Sequence, residues 1–179
     1  MQSRETSSSV ALDPFRMLLE SDAETVLAFL IPLGLLCAAI TLIDVRHGII
    51  PDWLNVSVAL LGFLKVAVAD GLAAGSESIA AAAVTGVIFL LLRQIYFAWR
   101  KIDGLGLGDV KLLAASAPWV GIAGIPMPLL IAALAAIAAM GGQHLAGHRM
   151  SRQTSLPFGP FLAIGLLLTI AMQTWLGIP

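Results

Sequence analysis

Long apolar runs separated by short polar segments dominate this chain from its first third to its end. Each run has roughly the 17 to 25 residues that an α-helix needs to cross the hydrocarbon core of a bilayer. The pattern therefore predicts an all-α, polytopic membrane protein with about six transmembrane helices. The predicted spans are residues 26–43, 54–69, 79–98, 110–125, 127–142 and 158–176.

The division between the fourth and fifth spans rests on one short break, Ile125-Pro126-Met127-Pro128. Proline ends or kinks a helix, so two spans are expected there, and a re-entrant arrangement stays open. Before the first span, Glu20, Asp22 and Glu24 stand where a cleaved signal would carry positive charge, which favours an uncleaved helix. We expect a polar N-terminal tail over residues 1–24 and a membrane domain over residues 25–179.

Composition supports the membrane assignment and removes other classes of protein. Hydrophobic residues make up 59% of the 179 residues and charged residues 12%, and the mean hydropathy is +0.94. The net charge of -1 provides no basic surface for nucleic acid. The single cysteine, Cys37, lies in an apolar run and is expected to pack between helices, since one cysteine cannot form a disulfide framework.

Lysine and arginine lie on one side of the predicted helix bundle. Short cytoplasmic loops carry the excess of these residues, so the connections between spans one and two, three and four, and five and six are expected in the cytoplasm. Both termini would then lie outside. Lys65, inside the second span, departs from this rule, and its long stem is expected to reach the interface. The residues that set the orientation are Arg46, Arg93, Arg100, Lys101, Lys111, Arg149 and Arg152.

Two aspartates, Asp44 and Asp109, stand at the predicted cytoplasmic ends of apolar helices. Acids at membrane depth are costly and usually serve a function, although a single acid at a helix end is often only an interface residue or a cap. Two carboxyl groups that share one proton hydrolyse a peptide bond without a metal: one activates water and the other polarises the carbonyl. The sequence therefore predicts Asp44 and Asp109 as the catalytic pair of an aspartic peptidase, with no cofactor.

A carboxyl pair of this kind holds a single negative charge over a wide pH range. At about 4 Å and an effective dielectric constant near 20, a second charge is opposed by about 4 kcal/mol. Asp44 is expected at the carboxyl end of one helix and Asp109 at the amino end of another. Because the helix dipole disfavours negative charge at the first position and favours it at the second, we predict Asp44 as the acid and Asp109 as the base.

Other polar residues near the pair have competing interpretations. Gly104, Gly106 and Gly108 allow close backbone approach beside Asp109, and the stretch lacks the Lys-Ser or Lys-Thr of a phosphate-binding loop. Pro51 and Asp52 are interpreted as the start and N-cap of the second helix, with Asp52 as an alternative member of the pair. Lys111 either tunes Asp109 or marks the interface. The histidines, His47, His144 and His148, lack metal-ligand spacing and are interpreted as solvated, so no metal site is expected.

Three segments of the sequence resemble the type IV prepilin peptidases, membrane aspartic peptidases of the GxGD class. They are DVRHGIIPDWLN (residues 44–55), GLGDVKLLAA (residues 106–115) and LPFGPFLAIG (residues 156–165). The resemblance implies that Asp44 and Asp109 are catalytic. It gives supporting positions to Pro51, Asp52, Gly106, Gly108 and Lys111. It also gives supporting positions to Pro157, Phe158, Gly159 and Pro160. There, a proline-broken start of the last helix would help to shape the substrate groove.

The same resemblance implies a substrate and a location. Precursor pilins or pilin-like secretion subunits would lose a short basic leader at the cytoplasmic face of the bacterial inner membrane. With only Cys37, the sequence resembles the minimal, peptidase-only members, so N-methyltransferase activity is not expected. Two alternatives remain open. One is a small transporter or proton conductor that uses Asp44 and Asp109 as a relay, and the other is a silent membrane scaffold.

Overall fold

The computed structural model describes residues 13–101, 105–145 and 157–176, which form six α-helices. The expectation of an all-α, polytopic membrane protein is confirmed. Three of the helices are individually long and apolar enough to cross a membrane. The helices are α1 (Asp13–His47), α2 (Asp52–Asp70), α3 (Leu72–Arg100), α4 (Leu107–Gly124), α5 (Pro126–Leu145) and α6 (Gly159–Leu176).

Helix α1 starts earlier than the apolar pattern predicts. It begins at Asp13, although its apolar portion, Leu27–His47, lies close to the predicted first span. The helix ends because Gly48 adopts a left-handed conformation, with φ of 66°, while its N–H donates to the carbonyl oxygen of Asp44. The expected division of the chain after residue 24 stays a prediction, and residues 1–12 lie outside the described part.

The connection between α2 and α3 is much shorter than the predicted one, which ran over residues 70–78. Gly71 alone makes the turn, with φ of 93°, and α3 begins at Leu72. Residues 72–78 are helical because their polar groups are satisfied locally: the Ser78 hydroxyl donates to the carbonyl oxygen of Gly75. Gly75 itself permits close packing, since a Cβ there would lie 2.8 Å from the Phe63 ring. The polar stretch was therefore wrongly interpreted as a loop.

Helices α4 and α5 form a bent pair whose axes differ in direction by 111°. The path is broken twice, at Gly121, where φ is 72° and ψ is 164°, and at Pro126, which starts α5. The expected break before Pro126 is confirmed. The pair fits either one broken span or a re-entrant loop, which gives four crossing segments by length and composition if it counts as one. Helix α6 is shorter than the three long helices.

Helix α4 lies at the centre of the bundle and packs against α2, α3 and α6. Its residues from 115 to 120 are all buried, whereas large apolar side chains on the outer faces of α1 to α3 are exposed. A surface of this kind suits a lipid environment. Arg149 and Arg152, on which part of the predicted orientation depends, lie outside the described residues, and the orientation stays a prediction.

The contact between α2 and α4, called the α2–α4 seam below, is held by Trp119. Its indole N–H donates to the carbonyl oxygen of Val58 at 2.9 Å. Gly62 makes room for the ring, because a Cβ there would lie 2.7 Å from the indole nitrogen. The Lys65 ammonium lies 5.9 Å from the centre of the same ring, a distance that suits a cation–π contact. This contact gives Lys65 a favourable partner within the span.

Candidate active site

Asp44 lies in the last turn of α1 and is only 6% exposed. Its Oδ2 accepts a hydrogen bond from the backbone N–H of Gly159 at 2.9 Å. Gly159 is the first residue of α6, where backbone N–H groups have no partner within the helix and carry a partial positive charge. The carboxylate of Asp44 therefore caps α6 and joins it to the end of α1.

Asp109 is the third residue of α4, whose N-cap is Gly106. Its carboxylate turns back to accept a hydrogen bond from the backbone of Gly106, as an acid at this position of a capping box does. A Cβ on Gly106 would lie 2.8 Å from Oδ2 of Asp109, so the glycine keeps this approach open. The third glycine of this stretch, Gly104, lies outside the described residues.

Asp44 and Asp109 face the same pocket, which has a volume of about 330 Å³. They are close enough for the charge on Asp44 to act on Asp109. The two carboxyls come from helices that are far apart in sequence, and they are called the carboxyl pair below. The pocket is lined by Asp44, Gly48, Ile49, Ile50, Asp52, Gly106, Leu107, Gly108, Asp109 and Lys111.

Ile50 lines the pocket, although the sequence did not predict it as a site residue. It is 8% exposed, although it lies in the connection between α1 and α2. A Cβ on Gly108 would lie 3.0 Å from the Ile50 Cβ, and a Cβ on Gly159 would lie 3.1 Å from its Cδ1. Ile50 thus packs between the segments that carry Asp109 and Gly159. The available signal was a pair of isoleucines, Ile49 and Ile50, directly before Pro51 in a short connection between two helices.

Asp52 and Lys111 form an ion pair across the α2–α4 seam, with Lys111 Nζ 2.6 Å from Asp52 Oδ1. The interpretation of Asp52 as an N-cap is wrong: Pro51 occupies that position, and Asp52 is the first residue of α2. Its carboxylate is free to reach Lys111 because Pro51 sets the extended backbone before the helix. Lys111 therefore has Asp52 as its direct partner, and both side chains line the pocket.

We expect the Asp52–Lys111 ion pair to contribute little to stability. The two side chains are 71% and 47% exposed, and such pairs are worth about 0 to 1 kcal/mol. Asp52→Asn, Lys111→Met and the double variant should each lower the unfolding free energy by about that amount or less. Thermal unfolding in detergent and peptide cleavage by the same samples provide the measurements. If Asp52→Asn abolished cleavage and Asp44→Asn did not, Asp52 would replace Asp44 in the pair.

Arg93 of α3 fastens the segment that leads into α4. Its Nε donates to the carbonyl oxygen of Leu105 at 2.9 Å, twelve residues along the chain. Leu105 directly precedes Gly106, whose backbone meets the Asp109 carboxylate. From the sequence, Arg93 was expected only to mark the cytoplasmic end of its helix. Its contact with a backbone carbonyl has no signature in the sequence.

The start of α6 contacts Asp44, one member of the carboxyl pair. Pro157 and Phe158 precede the helix, Gly159 opens it, and Pro160 follows, where a missing N–H costs nothing. The carbonyl oxygen of Phe158 accepts from the N–H groups of Phe161 and Leu162. The segment PFGP, residues 157–160, thus brings an N–H to Asp44 through Gly159. Its expected contribution to a substrate groove stays a prediction.

The structure removes the electrostatic reason for predicting Asp44 as the acid and Asp109 as the base. From the sequence, Asp44 was expected only at the carboxyl end of α1. In the structure Asp44 also receives an N–H from the amino end of α6, and a donated hydrogen bond favours the charged carboxylate. Asp109 receives a comparable bond from Gly106. The helix dipoles therefore do not select Asp44 as the acid.

The histidines contribute little to the described part of the protein. His47 is exposed in the last turn of α1, whereas His148 and the side chain of His144 are not among the described residues. Within the described ranges, no cluster of three or more His, Cys, Asp or Glu side chains is placed to hold a metal ion. The expectation that no metal takes part stays a prediction.

The described helices form a membrane bundle that brings two acids, Asp44 and Asp109, from distant segments into one pocket. A sequence profile of the Type IV leader peptidase family matches residues 29–141. The chain therefore belongs to this family. No solved structure matches it.

Curated relatives carry the name prepilin leader peptidase/N-methyltransferase. The protein of Burkholderia pseudomallei is 36% identical over 143 residues, which are 78% of this chain and 45% of that protein. The Escherichia coli protein is 33% identical over 144 residues, 78% of this chain and 62% of that protein. That of Dickeya chrysanthemi is 37% identical over 149 residues, 76% and 50% respectively. The chain thus spans about half the length of the curated relatives it matches.

Proposed function

We propose that this protein is a membrane aspartic endopeptidase that removes the leader peptide from prepilins or pilin-like secretion subunits. The observation that carries the proposal is the carboxyl pair: Asp44 and Asp109 come from separate helices and line one pocket. Membership of the leader peptidase family supports the substrate class. The residues beside the pair support the chemistry, because Gly106 lets the backbone approach Asp109 and Gly159 lets it approach Asp44.

In the proposed reaction, one carboxylate takes a proton from water as the water attacks the scissile carbonyl. The other carboxyl group, protonated, donates a hydrogen bond to the carbonyl oxygen. When the C–N bond breaks, the proton taken from water passes to the departing amine, and the proton given to the carbonyl oxygen returns to the pair. Gly159 and Gly106 hold the two carboxyls through backbone hydrogen bonds, so the pair keeps its orientation without further side chains.

The proposal places the pocket on the cytoplasmic side of the bacterial inner membrane. Arg46, Arg100, Lys101 and Lys111 lie at the same ends of the helices as the pocket, as the positive-inside rule requires. The proposal assigns peptide cleavage alone, and not methyl transfer, to this chain.

Cleavage of a prepilin by the purified protein in lipid tests the proposal. The expected result is a shorter product whose new N-terminus, read by mass spectrometry, is unmethylated even when a methyl donor is present. A chelator should leave the rate unchanged, because two acids and water suffice. The matched control is the variant with both Asp44→Ala and Asp109→Ala. Absence of cleavage by the wild type, or recovery only after a metal is added, would contradict the proposal.

A proton-conducting protein is the competing function, in which Asp44 and Asp109 would act as a relay. A relay needs acids spaced across the bilayer, whereas both described acids of the pair lie at one end of the bundle. Vesicles that contain the protein and a pH-sensitive dye distinguish the two functions. Under the peptidase proposal, we expect no proton flux above that of empty vesicles.

A further inference from the structure

Asn55 of α2 is 4% exposed, and neither atom of its side-chain amide has a hydrogen-bond partner among the described residues. Leaving a buried donor or acceptor unsatisfied costs about 1 to 3 kcal/mol. Three other buried polar side chains do not carry this cost. The hydroxyl groups of Ser78, Ser116 and Thr169 each donate to a backbone carbonyl oxygen of their own helix.

Asn55 lies on the α2–α4 seam, between two contacts that fix its position. Asp52, three residues earlier, pairs with Lys111, and Val58, three residues later, accepts from Trp119. Residues three apart share one side of a helix, so Asn55 belongs to the side that faces α4. At 1.5 Å per residue, Asn55 lies about 4.5 Å further along α2 than Asp52, which lines the pocket.

We propose that Asn55 is a positioning residue whose amide binds one buried water molecule at the inner end of the pocket. Water matches the amide because it both donates and accepts, and buried waters characteristically bond to polar groups that lack other partners. This inference rests on the proposed function: a hydrolase at membrane depth needs ordered water beside its acids. Asn55 orders that water without touching the substrate.

The choice of an amide at this position is informative because an apolar residue would serve the packing better. Leu54 and Val58 beside it are fully buried apolar residues, and a leucine at position 55 would avoid the cost of two unsatisfied atoms. A residue that opposes stability one turn from Asp52, which lines the pocket of the carboxyl pair, is explained by a role in the reaction.

The test compares Asn55→Leu with wild type for thermal unfolding and for the kinetics of prepilin cleavage. We expect a melting temperature equal to or above that of wild type, together with a kcat about tenfold lower and an unchanged KM, since one hydrogen bond is worth about that factor. Asn55→Ser, which keeps a group that binds water, should recover part of kcat. The matched control is Thr169→Val, which removes a satisfied buried hydroxyl and should lower the melting temperature while kcat stays unchanged.

Two results would overturn the role of Asn55: an unchanged kcat in Asn55→Leu, or a loss of kcat that accompanies an equal loss of stability, which marks a structural residue. A second measurement does not depend on cleavage. Magnetisation transfer from water to the isotope-labelled Asn55 side-chain amide should be seen by NMR in detergent, and its absence would reject the water site. If wild type fails to cleave, the proposed function fails, and the NMR result decides the water site alone.

Discussion

Leader removal should be lost when either Asp44 or Asp109 is replaced by alanine, and equally when either is replaced by asparagine. A positioned general acid or base contributes about 10² to 10⁴ in rate, so each single change should reduce kcat by at least that range. Asparagine is the sharper substitution because it keeps the size of the side chain but cannot transfer the proton. We expect that neither residue compensates for the other, since the proposed mechanism uses one shared proton.

Single-turnover cleavage with excess enzyme measures this loss without interference from product release. Asp70→Asn is the matched control: Asp70 is an exposed acid at the other end of α2, and its change should leave kcat as in wild type. Each variant must elute as a monodisperse species in detergent. Cleavage that persists in both alanine variants would show that the site has been assigned to the wrong residues.

Gly159→Ala should be nearly as damaging, although it alters no ionisable group. A Cβ at position 159 would lie 2.7 Å from Oδ2 of Asp44 and 3.1 Å from Cδ1 of Ile50. Asp44 would have to move, and the hydrogen bond from the Gly159 N–H would lengthen or break. Misplacement of a catalytic group by about 1 Å costs about 10² in rate, so we expect a fall in kcat of that order.

Gly34→Ala is the control for this substitution. Gly34 lies in α1, like Asp44, and a Cβ there meets nothing within 4 Å. Alanine should preserve kcat and leave the melting temperature equal or slightly higher, because glycine within a helix is less favourable by about 1 kcal/mol. A Gly159→Ala protein with the wild-type kcat would show that the hydrogen bond to Asp44 has no influence on the reaction.

The apolar pattern predicted the helices well because lipid imposes a simple rule on composition. It failed at residues 72–78, where Ser76 and Ser78 look like loop residues. Their hydroxyl groups bond to backbone carbonyls one turn earlier, which lets the helix continue through them. The pattern also could not foresee that a single residue, Gly71, would make the turn into α3.

The sequence predicted those residues of the candidate site whose chemistry can be recognised one residue at a time. Asp44 and Asp109 were chosen as acids at membrane depth, and the structure brings both to one pocket. The contacts that hold them join distant segments and leave no mark in the local sequence: the N–H of Gly159 on Asp44, and Ile50 against Gly108. The ion pair between Lys111 and Asp52 also joins distant segments, so the sequence did not identify Asp52 as the partner of Lys111.

The shortness of two connections limits where other molecules can engage this protein. At the end of the bundle away from the carboxyl pair, α2 joins α3 through Gly71, and α4 joins α5 through Ile125. Apart from the beginning of α1, the described chain therefore presents little backbone to the aqueous compartment on that side. Among the described residues, a soluble partner would therefore meet more of the backbone at the end of the bundle that carries the carboxyl pair, where the connections between helices are longer.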